Sequence, residues 1–205
     1  MNSPRSISVA AVAVCVLVTA CGSAAQPSPS STRSGSPSGS AAPTAPGGSP
    51  LTTAHFTTVV PQGWNNKIGD STEVQKFTVN GQVLLLIEQG PPGQLQANVN
   101  DVNANVNVLS LTTPVPDNEV PQYLATVANN GATNLSSSQA FTIDGSTGQF
   151  ITYDRDIKGT PGESQDMIVN HGGSTYDIIL NTSQFAFNQQ LSGLQAVLAA
   201  WKWTS

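Results

Sequence analysis

The residues able to do covalent or metal chemistry are few. Cysteine occurs twice, at Cys15 and Cys21, and histidine twice, at His55 and His171. Cys21 follows Val18-Thr19-Ala20, small and aliphatic residues at the end of an apolar run. His171 has Ser174, Asp166 and Asp177 near it in sequence, so a nucleophilic triad can be drawn. A catalytic serine is normally presented on a sharp elbow of the G-x-S-x-G kind, which Gly172-Gly173-Ser174 lacks. An ordinary turn histidine is the plainer reading. Two histidines without a cysteine in the folded part supply too few ligands for a zinc site. Asp154-Arg155-Asp156-Ile157-Lys158-Gly159 begins like a calcium loop but lacks the third oxygen ligand and the distal Glu, and reads as a hairpin end. No catalytic residue, metal site or cofactor is therefore expected.

The N-terminus positions Cys21. Met1 to Arg5 is short and polar with one cationic side chain, and residues 7–19 are apolar apart from Ser8 and Thr19. Thirteen helical residues span about 20 Å, too short for the roughly 30 Å hydrocarbon core. The run fits the apolar part of an export signal. Val18-Thr19-Ala20-Cys21 resembles the bacterial lipobox. That resemblance implies cleavage between Ala20 and Cys21 and a diacylglyceryl group on the Cys21 sulfur. Residues 1–20 would then be a signal peptide and Cys21 the new N-terminus, with membrane lipid as its partner on the extracytoplasmic face. Loss of Cys15 with the leader would leave no thiol unmodified in an oxidising compartment. Two acyl chains anchor a protein stably where one does so only marginally.

Residues 21–50 read as the lipidated cysteine plus a tether. Of the 29 residues from Gly22 to Pro50, all but Gln26 and Arg33 are Ser, Pro, Gly, Ala or Thr. Such a composition buries too little apolar surface to offset chain entropy. As a coil it spans on the order of 30 Å. Residues 51–205 are enough for one domain, with twelve carboxylates against five cationic side chains, a formal charge of −7. Nucleic acid is excluded as a partner because no basic footprint exists.

Period-two patterning predicts strands over 55–60, 74–79 and 82–88, the last two joined at Asn80-Gly81 as a hairpin. Val83 to Ile87 is apolar on both faces, as a covered central strand is. Ala97-Asn98-Val99-Asn100 is echoed by Ala104-Asn105-Val106-Asn107; only the second copy runs on into Val108-Leu109-Ser110-Leu111, which places the strand there and a long loop over 90–103. A helix over 117–130 has Asp117 as cap and Gly131 as stop, with Val120, Tyr123, Leu124 and Val127 on one face. Strands over 138–143, 149–156, 165–170 and 174–181 turn at Asp144-Gly145 and His171-Gly172-Gly173. A helix over 188–200 closes the chain, its stripe being Leu191, Leu194, Val197, Leu198 and Trp201. The expected class is α+β, one antiparallel sheet covered by two helices.

Several stretches are similar to the actinobacterial LpqN/LpqT-type lipoproteins with a PsbP/Mog-like domain: Val60-Pro61-Gln62-Gly63-Trp64, Asn105-Val106-Asn107-Val108, the helix over 119–130 and the close LQAVLAAWKW over 194–203. The resemblance spans 51–205 and implies an α/β/α sandwich. It implies a non-enzymatic binding or accessory module of the envelope, whose partner would be an envelope protein complex or an envelope lipid. It carries over no catalytic residues, and the loop over 90–103 departs from it. Trp64, Tyr123, Trp201 and Trp203 are the aromatic candidates for partner contact, with core filling as the plainer reading of each. The alternatives are a lipid or small-molecule carrier with an internal cavity, and a hydrolase.

Overall fold

The computed structural model describes residues 47–204 apart from 79, 90–103 and 158. The Ala20-Cys21 site, most of the tether and the first copy of the repeat lie outside the described residues. In chain order the elements are β1 (Gly48–Thr52), β2 (Phe56–Pro61), β3 (Trp64–Asn66), α1 (Ser71–Gln75), β4 (Gly81–Gln89) and β5 (Asn105–Leu111). Next come α2 (Val120–Ala125), β6 (Gln139–Ile143), β7 (Ser146–Ile157), β8 (Thr160–His171), β9 (Ser174–Ser183), α3 (Phe187–Ala199) and β10 (Lys202–Trp203). The first of these, β1, carries the ordered fold back to Gly48.

Two antiparallel sheets form where one was expected. The larger has the order β3-β4-β5-β9-β8-β7-β6 and the smaller β1-β2-β10. The division occurs at the turn after β2. Pro61 has no N–H to extend the ladder, and Gly63 sits at φ +85, which redirects the chain into the larger sheet.

A second correction concerns residues 74–79. Residues 74–78 do not form a hairpin arm against β4. Asp70 Oδ1 accepts from the backbone N–H of Thr72 at 3.1 Å and of Glu73 at 3.3 Å, and this cap starts helix α1. The neighbour of β4 on that side is β3, with Trp64 opposite Gln89.

The larger sheet is covered on both faces, as an α/β/α sandwich requires. Alternation along β9 sends Tyr176, Ile178 and Leu180 to one face, where Val106, Val108, Met167 and Val169 join them beneath α3 and the smaller sheet. The opposite face gathers Leu109, Leu111, Ile151 and Ile168 beneath Val120 and Leu124 of α2. Each fully buried aliphatic side chain contributes about 1.5–3 kcal/mol. The expected helix over 117–130 is α2 flanked by 3-10 turns at Asp117–Glu119 and Thr126–Asn130. Asp117 does not cap it; its Oδ1 accepts from Asn170 Nδ2 at 2.6 Å. Gly131, at φ +84, does end it.

Helix α3 buries Phe187, Gln190, Gly193, Leu194 and Val197, while Leu191 and Leu198 are half-buried. Thr58 Oγ1 of β2 donates to the Val197 carbonyl at 2.6 Å, pinning the helix to the smaller sheet. Gly193 permits the closest approach, because a Cβ there would overlap the Trp64 indole. Gly193→Ala is therefore expected to destabilise by about 1–3 kcal/mol through overpacking, although alanine is the better helix former. Urea titration of both proteins checks the sign.

Candidate functional site

The α2-side face of the larger sheet carries a polar row that crosses five strands. In register run Glu88 of β4, Asn105 of β5, Asn181 of β9, Ser164 of β8 and Tyr153 of β7. Asn181 is its hub. Its Nδ2 donates to Asn105 Oδ1 at 3.1 Å, and its Oδ1 accepts from Ser164 Oγ at 2.8 Å and Arg155 at 3.4 Å. These bonds occupy the Asn181 amide. Burial, and then the nearby Glu73 carboxylate, push the Glu88 carboxyl above its usual range.

Next to this row lies a pair of buried acids. Asp166 and Asp177 stand on the central strands β8 and β9, diagonal to one another across the Ile168–Asp177 and Asp166–Ile179 pairs. They are 5% and 7% exposed. One hydrogen bond links the two carboxyls, while Oδ1 of each is buried without a partner. Asn107 Oδ1, on the same face of β5, is likewise buried without a partner. Burial raises the Asp166 carboxyl to about 6 and Asp177 well above the carboxylate range, with the Asp166 charge adding to the latter. The pair can hold one shared proton. Tyr123 of α2 feels both: burial, then Asp177 and Asp166, push its hydroxyl up to about 12. Among the described residues no group of three or more His, Cys, Asp or Glu side chains is placed to hold a metal ion.

The drawn triad is not assembled. His171 lies on the other face of the sheet from Asp166 and Asp177, stacked on Trp203 with ring centroids 4.2 Å apart. Its Nδ1 is 2.9 Å from Ser146 Oγ, a contact between residues 25 positions apart that the sequence reading missed. His55 Nδ1 meets the Tyr176 hydroxyl at 3.2 Å in the same aromatic cluster. Asp144 ties this cluster down, accepting from Lys202 Nζ at 2.7 Å and from the Trp203 backbone N–H at 2.9 Å. Those two donors hold its carboxyl below the usual range.

Of the four aromatic candidates for partner contact, Trp64 and Trp201 are core residues, 8% and 1% exposed. Trp203 and Tyr123 are half-buried. Two hollows open to solvent. One of about 400 Å³ is lined by Gly47–Ser49 and Val60–Trp64. The other, about 300 Å³, lies between the 51–55 segment and the start of β4.

No family model matches the chain, and no curated protein matches its sequence. Its fold does have relatives. LpqN of Mycobacterium tuberculosis, a protein involved in cell envelope biogenesis, superposes with a TM-score of 0.51 at 16% identity, over 77% of this chain and 86% of LpqN. The fold is LpqN-like. Cyanobacterial PsbP from Synechocystis superposes with a TM-score of 0.45 at 12% identity, over 72% of this chain and 86% of that one. In this LpqN-like fold helix α3 lies on one face of the larger sheet and α2 on the other.

Proposed function

We propose that this protein is a lipid-anchored envelope lipoprotein whose domain acts as a non-enzymatic accessory module, held at the membrane through Cys21. The observation that carries this reading is Val18-Thr19-Ala20-Cys21 at the end of a short apolar run, followed by a Ser/Pro/Gly/Ala tether that leads into an LpqN-like domain. LpqN's involvement in cell envelope biogenesis supports the same placement. Two acyl chains on one sulfur give stable anchoring without a spanning helix. Among the described residues no helix is long and apolar enough to cross a membrane.

Both hollows are open to solvent, so the carrier reading finds no enclosed cavity in either. The hydrolase reading loses its triad to opposite faces of the sheet. Mass spectrometry of the native protein is expected to find Cys21 as the N-terminal residue with its sulfur diacylglycerylated. Cys21→Ser should move the protein from the membrane fraction to the soluble one. An unacylated N-terminus, or a leader still attached, overturns the reading.

A further inference from the structure

We propose that the Asp166–Asp177 pair is a pH-operated latch that sets how firmly α2 lies on the sheet. Both acids sit on central strands. β8 is bonded to β7 and β9, and β9 to β8 and β5, so neither strand can move aside to let water in. The layer above them can. α2 is six residues long, has no side-chain cap, and buries Val120 and Leu124 alone among its side chains. It packs on β7 and β8, and its Tyr123 is the titratable group that faces the pair from that layer.

The other titratable or charged groups facing the pair come from β7: Tyr153, and the Arg155 guanidinium, whose charge acts on Asp166. Arg155 is exposed and also reaches Asn181 Oδ1, so it compensates the pair only in part. With both carboxyls protonated the pair is neutral and satisfies itself by one internal hydrogen bond. Loss of the Asp166 proton leaves a charge beneath α2 that keeps the bond from Asp177, while the buried Asp166 Oδ1 has no donor. Hydration then requires α2 to lift. Lifting uncovers Leu109, Leu111, Ile151 and Ile168, so the pH outside the membrane would control access to an apolar surface.

Hydrogen exchange of the full chain between pH 5 and pH 7.5, corrected for the intrinsic pH dependence of exchange, tests this. Amides of α2 are expected to lose about tenfold protection over that range while those of α3 hold theirs. In the Asp166→Asn/Asp177→Asn double variant, α2 should keep its acid-side protection at every pH. Parallel behaviour of α2 and α3 in the wild type overturns the latch without recourse to any variant. So does an α2 response that survives in a folded double variant.

Discussion

Trp201→Ala is expected to cost about 3–5 kcal/mol, a large share of the stability of an ordinary domain, which is about 5–15 kcal/mol. Trp201 is 1% exposed, and its indole stacks on Phe56 with centroids 3.7 Å apart and planes 19° apart. It also meets Trp203 edge-on at 5.1 Å. Alanine leaves a cavity where α3, the smaller sheet and the larger sheet meet, and side chains fixed by three layers cannot collapse into it. Trp201→Phe provides a contrast. The indole Nε1 is buried without a partner, so phenylalanine removes an unsatisfied donor along with the ring volume. The phenylalanine variant should therefore lose markedly less than the alanine one. Urea denaturation followed by far-ultraviolet circular dichroism orders the three proteins; equal losses in the two variants would mean that the pocket tolerates an empty space.

The second large effect concerns pH. A carboxyl whose folded pKa lies above its unfolded value binds its proton more tightly in the native state, so stability falls as pH rises. For Asp166, moved by burial from an ordinary 3.8 to about 6, the stability present below about pH 4 is lost as pH climbs to about 6. The span of about two units corresponds to about 3 kcal/mol. Asp177, raised further, keeps its proton through this window and contributes no loss there. Asp166→Asn should therefore match the wild type at pH 4 and exceed it by about 2–3 kcal/mol at pH 7. Thermal melts at the two pH values measure the difference. A variant weaker than the wild type at pH 7 would show that the ionised Asp166 is stabilised by its surroundings.

Most element types from residue 105 to 199 were legible in the sequence because they carried concordant signals, whereas the two-residue strand β10 carried none. Strands over 138–143 and 149–156 alternate and are joined by Asp144-Gly145, which adopts the required positive φ at both positions. The closing helix has an apolar stripe and lies within a residue of where it was expected. Residues 74–79 misled because they run into the Asn80-Gly81 turn signal, while the capping aspartate that decides the matter, Asp70, stands before the apolar positions. The candidate site was legible only in outline. Asp166 and Asp177 interrupt apolar strand patterns, a visible sign of buried acids, yet their adjacency depends on β8 pairing with β9 in one register. The polar row depended further on β5 choosing β9 over β6, its nearest strand in the chain after it. Local patterning carries no record of such a choice, which is made by the burial of both sheet faces.

That choice bears on how the molecule reaches its native state. Asn105 finds Asn181 across 76 positions, and Thr204 closes on Ala54 across 150. Contacts of such reach demand that the entropy of long loops be surrendered before any pairing energy returns, so high contact order should place the refolding half-time in the millisecond-to-second range. The β6–β9 meander, all short-range hairpins, can form without those closures. Those hairpins are expected to form before β4, β5 and the smaller sheet join them.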